Sequence, residues 1–493
     1  MRPTNLTEGS SLRALTGLAM PMLVGAVLQN LQSLIDLFWV GRLGPTAVAS
    51  VAMSGTVLMI LFPMLMGVST GTVALVARAT GAGRPQDASA AAGQSLALAL
   101  ILGGASAVLG LLFSRDLFRL LGAAPDVVAG GSAYLRVSLL GSFTVFALFI
   151  GNAALQGAGD AVTPMWIMGV ANVVNMVLDP LFIFGLGPVP AMGVRGAAIA
   201  TVLAQGVAAC LSLSHLLGGR GRLHVRLAQW RPDLALSWRI LRIGIPSSGQ
   251  MVSRSLVSAV MMAIVASCGT AAVAAYGIGL RLHMIIMMPA FAIGGAVATM
   301  VGQNLGAGRP QRARRAAWLG TGVDAAFMAV AALVLALAAP TIIRVFNADP
   351  EVVSIGSRYL RIVSPFYVFS ALGIVLGRAL NGAGDTIGPM VITIVCLWGL
   401  QAPLALWFAQ LWQPATQGIW WAMSATMTLQ ALLTAAWFET GRWMKAPSRP
   451  GGGRSPGRRS DGGAGVTGGA LARPARHGCR AGWLRRLPRR RLR

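Results

Sequence analysis

Charged side chains are scarce in this sequence, and those that occur are strongly biased towards one sign. Lys and Arg number 40 against 14 Asp and Glu, yet charged residues make up only 11% of the 493 residues, whereas 55% are hydrophobic. So little charge cannot cover soluble domains without leaving large apolar faces in water. The composition excludes a soluble globular protein and indicates a chain that crosses a membrane many times.

Cysteine is nearly absent too. The four cysteines show no paired or C-x-x-C spacing, and three lie within or beside apolar segments, where cysteine behaves as a small hydrophobic residue. This pattern predicts neither a disulfide framework nor a metal cluster. The first twelve residues are polar, and the next apolar run is too long for a signal-peptide core. We therefore expect the first helix to serve as both signal and anchor.

Signatures of catalysis are also missing. The sequence contains no G-x-S-x-G, no metal-ligand cluster and no Walker motif, so we predict a protein that is not an enzyme, needs no cofactor and does not use ATP. The net charge of +26 raises the question of nucleic acid. The basic residues are spread over loops without interleaved aromatics, which predicts no nucleic-acid partner.

Twelve apolar segments are long enough to cross a bilayer. They are residues 15-41, 47-76, 89-113, 132-155, 162-187, 194-218, 238-265, 272-303, 316-340, 357-380, 387-411 and 418-440. Loops and flanks on the side of the N-terminus hold more Lys and Arg than the other side, even without the C-terminal tail. The positive-inside rule then predicts cytoplasmic termini and a multi-pass protein of the bacterial cytoplasmic membrane.

An internal repeat relates the two halves at a fixed offset of 225 residues. GAGRPQ at 81–86 recurs at 306–311, and LQGAGD at 155–160 recurs as LNGAGD at 380–385. Each copy holds six predicted helices, so both copies enter the membrane from the same side. The predicted fold class is all-α: twelve transmembrane helices in two six-helix lobes, the architecture of a two-lobed secondary transporter.

The predicted organisation has five parts. They are a cytoplasmic N-terminus (1-14), an N-lobe (15-218), a cytoplasmic linker (219-237), a C-lobe (238-440) and an Arg/Gly-rich cytoplasmic tail (446-493). The tail has too few apolar residues to bury a core, which predicts disorder. Its arginines would be drawn to anionic inner-leaflet lipid, although a dispensable extension is the favoured interpretation.

These motifs resemble the multidrug and toxic compound extrusion (MATE) family over residues 12 to about 440. The similarity lies in the V-G-R-L-G that ends the first segment, the GAGRP loops, the QGAGD and NGAGD loops, and NVVNMVLDPLFIFG in the fifth segment. The resemblance implies two lobes that export organic, often cationic, small molecules in exchange for H⁺ or Na⁺. We expect a monomer surrounded by membrane lipid.

Two acids lie inside apolar segments of the first repeat. Asp36 and Asp179 correspond, at the repeat offset, to Met261 and Leu404, so only the N-lobe carries them. A carboxylate at membrane depth is costly and is a functional-site hypothesis by default. Their positions predict that both lie in the outer half of the membrane, where two carboxylates in one pocket resist simultaneous ionisation.

Two neighbours complete the candidate coupling and substrate site. Asn175 lies one turn before Asp179 on the same helix face, and Thr201 reaches a similar depth on the sixth segment. With Asp36 they resemble the N-lobe cation site of the family's DinF branch, which implies a Na⁺ site at Asn175, Asp179 and Thr201. The alternatives are structural: acids that only fix packing, and a threonine hydroxyl bonded to its own helix.

Three prolines are predicted helix kinks. Pro21 and Pro246 match one another in the repeat and are expected to shape a central cavity. Pro180 follows Asp179 directly, and it cannot donate a hydrogen bond to the carbonyl of Met176. We therefore expect the backbone beside the acid to be loosened.

The remaining intramembrane charges are few. Arg254 lies where the family's NorM branch places an acid, and residues 357-380 hold no acid, so DinF-like coupling is favoured. Arg254 is a candidate counter-ion for a carboxylate, with a packing or snorkelling arginine as the alternative. Asp324 and His283 are predicted local hydrogen-bond partners. The alternative function, a flippase for a lipid-linked precursor, would need several basic residues in the cavity, and Arg254 and Arg281 are the candidates.

Overall fold

The apolar segments form long helices joined by short turns. The computed structural model describes residues 6–444 except 186 and 220, so the predicted tail lies outside the described residues. Seven helices build the N-lobe: α1 (Ser11–Gly41), α2 (Pro45–Gly81), α3 (Pro85–Leu120), α4 (Pro125–Leu140), α5 (Ser142–Gly157), α6 (Val162–Phe184) and α7 (Val194–Leu217). A short 3₁₀ turn, Leu227–Trp230, lies between the lobes.

The C-lobe repeats this order with more interruptions. Its helices are α8 (Leu234–Ala266), α9 (Thr270–Gly306), α10 (Pro310–Leu337), α11 (Ala339–Phe346), α12 (Pro350–Val363), α13 (Tyr367–Ala383), α14 (Ile387–Ile394), α15 (Ala402–Leu411) and α16 (Ala415–Glu439). A 3₁₀ turn, Ser364–Phe366, joins α12 to α13, and a π-helical segment, Val395–Gln401, joins α14 to α15. Each junction lies within one predicted span.

The predicted all-α, two-lobed architecture is confirmed. Ten described helices or helix pairs are long and apolar enough to cross a membrane, and the pair α4 and α5, bent by 46°, makes an eleventh. The twelfth span is α16, which has 25 residues but is less apolar. The buried polar side chains Ser424, Thr426 and Thr434 contribute to this lower hydropathy, and each hydroxyl donates to a carbonyl of its own helix.

The GAGRPQ repeats are tight turns between paired helices. Gly83 and Gly308 adopt positive φ angles of 67° and 70°, which glycine reaches without strain. Pro85 and Pro310 then occupy the first position of α3 and α10, where a missing N–H breaks no helical bond. The same sequence therefore ends one helix and begins the next in both lobes.

The lobes meet closely at one end of the molecule. A methyl group added to Gly81 of α2 would overlap the carbonyl of Gln303, and one added to Gly306 would overlap the carbonyl of Arg78. Nearer the other end of α2, a methyl on Gly55 would find no atom within 4 Å. The helix backbones of the two lobes are thus in direct contact at the end where α2 finishes.

Residues 6–9 seal that closed end. Leu6 is fully buried, its carbonyl accepts a hydrogen bond from Asn304 of the C-lobe at 3.3 Å, and its side chain lies beside Gly159 of the N-lobe. Arg309 and Arg312 donate to backbone carbonyls of the same segment. The N-terminal segment therefore touches both lobes.

Candidate functional site

The N-lobe brings Asp36, Asn175 and Asp179 together. Asp36 on α1 and Asp179 on α6 each lie five residues before the end of their helix, and these ends are on the same side of the molecule. The Asn175 amide donates to Asp179, with 3.2 Å from Nδ2 to Oδ1. Both Asn175 and Asp179 are within hydrogen-bonding reach of the Asp36 carboxyl. The site thus joins two helices.

This cluster is rich in unused oxygen atoms. Asn175 and Asp179 are fully buried, and Asp36 Oδ1, Asn175 Oδ1 and Asp179 Oδ2 accept no hydrogen bond from any described residue. A buried acceptor without a donor is costly, so such groups usually mark a bound proton, ion or water. The oxygen-only donor set fits a proton shared by the carboxyls, or a hard cation such as Na⁺.

A small cavity reaches Asp36. Its volume is about 100 Å³, and it is lined by Gln29, Gln32, Ser33, Asp36, Leu148, Phe149, Met168, Thr201 and Gln205. Since a water occupies about 30 Å³, the cavity holds about three waters. Sites for organic ligands measure roughly 300–1,000 Å³. This cavity has the size for water or an ion, and an organic substrate does not fit in it.

Thr201 shares the cavity but directs its proton elsewhere. Its hydroxyl donates to the carbonyl of Ala197 at 3.0 Å, one turn back on α7. Thr426, at the matching position of the C-lobe, donates to Ala422 in the same way at 2.8 Å. The structural alternative for this hydroxyl is therefore present in both lobes, and only its oxygen lone pairs face the site.

Two further residues at the acid pair escaped the sequence interpretation. Tyr134 of α4 lies close enough to both carboxyls to interact with them electrostatically. Asn172 donates to the carbonyl of Leu28 at 2.8 Å and so ties α6 to α1. Asn172, Asn175 and Asp179 lie on one face of α6, and this spacing was the available signal. For Tyr134 the signal was the sequence Y-L-R at 134–136, which recurs at 359–361 in the second repeat.

The three prolines lie inside helices that continue through them. Pro21 is in α1, Pro180 in α6 and Pro246 in α8, and none of them ends its helix. A proline breaks one backbone hydrogen bond and leaves the rest of the helix intact. The kinks stay a prediction.

The structure does not bring Arg254 to a carboxylate. Among the described residues no acid forms an ion pair with Arg254. Its electrostatic neighbours are basic: the charge of Arg378 on α13 acts on Arg254, and the charge of Arg254 acts on His283 of α9. Arg378 therefore joins Arg254 and Arg281 as an arginine inside a predicted C-lobe span. It was overlooked because it lies only five residues before the end of α13, where arginine usually flanks the membrane.

Asp324 also departs from its prediction. It lies near the middle of α10, is fully buried, and neither carboxylate oxygen has a hydrogen-bond donor among the described residues. It is therefore not a local hydrogen-bond partner. The sequence placed it near the helix end because the charged start of α10, up to Arg315, was assigned to the loop.

Two repeated bundles of apolar helices, with a pair of acids that joins two helices of one bundle, define a membrane transporter and not an enzyme. The MatE family model matches residues 21–181 and again 246–407, and the two matches begin 225 residues apart. The chain belongs to this family.

Individual relatives cover nearly the whole helical region. A probable multidrug resistance protein NorM of Thermotoga maritima is 30% identical over 435 residues, 88% of this chain and 93% of the relative. A FAD transporter of Shewanella oneidensis is 32% identical over 394 residues, 80% of this chain and 87% of the relative. A solved MOP superfamily transporter from Pyrococcus furiosus, for which a binding pocket of reversed polarity suggests a different function, is 26% identical with a TM-score of 0.82, covering 90% and 99%.

Proposed function

We propose that the protein is a secondary active antiporter that exports organic, cationic compounds in exchange for H⁺ or Na⁺. The observation that carries this proposal is the contact between Asp36 and Asp179, two intramembrane carboxyls on different helices with unused oxygens. Two carboxyls in one pocket resist double ionisation, so the pair retains one proton. A second proton or a Na⁺ then neutralises the pair, and release of that ion leaves one negative charge that attracts a cation. The relative named as a multidrug resistance protein supports the drug-efflux part of the proposal.

The roles of the individual residues follow from their positions. Asp36 faces the cavity and exchanges the coupling ion, Asp179 shares its charge, and Asn175 holds the two carboxyls in place. The oxygen of Thr201 is available as an additional ligand to Na⁺. Position 254 holds an arginine, and residues 357-380 contain no acid. Both features support a DinF-like coupling mode, although one relative carries the name NorM.

We further propose that both termini lie in the cytoplasm of a bacterial cell and that this conformer faces outward. The closed end carries the N-terminal segment and a dense set of arginines that includes Arg84, Arg309 and Arg312, which the positive-inside rule assigns to the cytoplasm. The helix backbones of the two lobes contact each other at this end, which supports an outward-facing conformer. Asp36 and Asp179 then lie near the open, external side, where the coupling ion enters. The twelve-helix unit is proposed to act as a monomer.

A flippase for a lipid-linked precursor is the second candidate. The specific observation in its favour is that Arg254 and Arg378, two arginines of the C-lobe helices, lie within electrostatic range of each other. Pyrophosphate headgroups are recognised by such arginines. The acid pair of the N-lobe has no evident role in that function, so export of small molecules is the preferred proposal.

Transport in inverted vesicles tests the proposal. Uptake of the cationic dye rhodamine 123 is measured with a proton gradient or a sodium gradient imposed separately. We expect one gradient to drive uptake, and Asp36→Asn to abolish it while the protein remains in the membrane. Equal uptake with no gradient, or driven uptake by Asp36→Asn, contradicts the coupling scheme.

A further inference from the structure

A cluster of basic side chains lies between three helices of the C-lobe. Arg254 of α8 and Arg378 of α13 are close enough to repel one another, and Arg254 also acts on His283 of α9. The guanidinium of Arg378 lies over the ring of Phe291, 5.5 Å from its centroid. The His283 ring meets the edge of the Tyr367 ring at 5.2 Å. An aromatic face thus lies beside one of the two arginines.

The cluster occupies the part of the C-lobe that corresponds to the N-lobe cavity. Arg254 matches Gln29, which lines the cavity beside Asp36, at the 225-residue offset. Arg378 matches Ala153, one turn after the cavity residue Phe149. The Arg254 side chain is exposed, yet its charged neighbours lie on α9 and α13. It therefore points into the space between α8, α9 and α13 and not into lipid.

Neither arginine is neutralised by the protein. Within residues 6–444 as described, neither Arg254 nor Arg378 forms an ion pair or donates a side-chain hydrogen bond. The buried C-lobe acid, Asp324, contacts neither of them electrostatically. Two unpaired guanidiniums within electrostatic range of each other at membrane depth are costly, and an anion bound between them would remove both the repulsion and the missing hydrogen bonds.

We propose that Arg254 and Arg378 form an anion-binding subsite that holds the carboxylate or phosphate of an amphipathic substrate. The guanidinium fork suits planar or tetrahedral oxyanions, and the exposed ring of Phe291 beside Arg378 suits an attached aromatic group. This inference rests on the proposed export function and extends its substrates to compounds that carry a negative group. The anion comes from a soluble substrate or from a lipid headgroup, and the recognition chemistry is the same for both.

Two xanthene dyes of opposite charge separate this inference from the proposed function. Binding of anionic fluorescein and of cationic rhodamine 123 to the purified protein is measured by fluorescence polarisation in phosphatidylcholine nanodiscs at mildly alkaline pH. We expect fluorescein to bind, and Arg254→Gln and Arg378→Gln each to weaken its binding roughly tenfold, the effect of losing one charge-assisted hydrogen bond. Rhodamine 123 should bind these variants at least as well as the wild type.

Control variants keep the test decisive. Arg242→Gln removes an exposed arginine from the same helix, and it should leave both affinities unchanged. Arg254→Lys and Arg378→Lys keep the charge and should retain part of the fluorescein binding, and retained rhodamine 123 binding shows that a variant is folded. Fluorescein that does not bind the wild type, or that binds every folded variant equally, overturns the subsite while leaving cation export intact. Loss of rhodamine 123 binding alone overturns the proposed function instead.

A third arm identifies the source of the anion. Nanodiscs containing phosphatidylglycerol offer an anionic headgroup at high local concentration. Competition between fluorescein and the phosphatidylglycerol headgroup would make the wild type bind the dye more weakly in these discs than in phosphatidylcholine discs. If this difference between discs disappears in Arg254→Gln, the subsite is assigned to a lipid headgroup. Fluorescein binding that is equal in both kinds of disc assigns it to a soluble anionic substrate. Weakening that is equal in wild type and Arg254→Gln reflects membrane charge alone and contradicts a subsite at this arginine.

Discussion

The two lobes share a repeated backbone and differ in what fills the end at which α1 and α6, and their C-lobe counterparts, finish. Asp36 and Asp179 make an oxygen-lined site in the N-lobe, whereas their counterparts in the C-lobe, Met261 and Leu404, belong to a large apolar cluster in which Met261 is fully buried. A conserved helix arrangement therefore supports either an ion site or a packed core. Two side chains decide which.

A tyrosine shared by both lobes shows the same contrast. Tyr134 of the N-lobe faces the two carboxyls. Its C-lobe counterpart, Tyr359, packs edge-on against Trp420 at 4.9 Å between ring centroids, and Tyr276 stacks on the same Trp420 at 5.5 Å. Such aromatic pairs add about 0.5–1.5 kcal/mol beyond their buried area. The C-lobe is thus built for stability where the N-lobe is built for charge.

Removing one acid tests the comparison most severely. Asp36→Asn keeps the size of the side chain and deletes its charge, so we expect gradient-driven export in vesicles to fall to background. Asp324→Asn, which alters the buried acid of the C-lobe, is the matched control and should retain export. Normal export by Asp36→Asn, or an equal loss in both variants, would remove the distinction between the lobes.

Moving an acid into the other lobe should damage stability and create no function. Met261→Asp buries a carboxylate in an apolar cluster, which costs about 3 kcal/mol or more. We expect a large fall in the unfolding temperature of the purified protein, whereas Met261→Leu should cost under about 1.5 kcal/mol. A stable Met261→Asp protein would mean that the C-lobe retains a latent polar site.

The acid pair should make substrate binding depend on pH. Lower pH adds protons to the carboxyls and removes the negative charge that attracts a cationic substrate bound outside the small cavity, so the affinity for rhodamine 123 should fall about tenfold from mildly alkaline to mildly acidic pH. Added Na⁺ should act in the same direction if it is the coupling ion, because linked binding is reciprocal. Asp179→Asn should flatten the dependence. Titrations that are flat in the wild type under both conditions would reject competition at this site.

The smallest effect is expected where the lobes touch. A methyl on Gly67 of α2 would lie 2.6 Å from the carbonyl oxygen of Gly244 in α8. Gly67→Ala should therefore push the two helices apart at the closed end and change the ratio of the two conformers a few-fold. Gly55→Ala adds the same methyl to the same helix in open space and should change nothing. Distances between spin labels on α3 and α10 measure the shift. Identical distance distributions for both variants would show that this contact does not control opening.

Much of this arrangement was predictable because lipid imposes simple rules. Apolar length gives the spans, and the repeat gives the two lobes. Counting residues from helix ends placed Asp36 and Asp179 at one depth, and the α1 and α6 helices bring them into contact. The i and i+4 spacing likewise predicted that Asn175 faces Asp179. These features depend on local periodicity alone.

The features that escaped prediction depend on neighbouring helices. The bend between α4 and α5 occurs beside Ser142, whose hydroxyl bonds to the carbonyl of Gly103 on α3. The position of Arg378 is set by Gly294, whose lack of a side chain leaves room for the arginine stem. The π-helical segment Val395–Gln401 cannot be read from its apolar sequence either. No single-helix pattern contains such information.

The buried N-terminal segment has a consequence for how the protein is made. The Thr7 carbonyl accepts a hydrogen bond from Arg309, a residue 302 positions later in the chain. This segment therefore cannot reach its final place until the C-lobe has been synthesised at least as far as the start of α10. Leu6 then closes over a seam that only the complete pair of lobes provides. This segment precedes both lobes in the chain yet docks only after them, and a nascent transporter stays unsealed at that end until both lobes are in the bilayer.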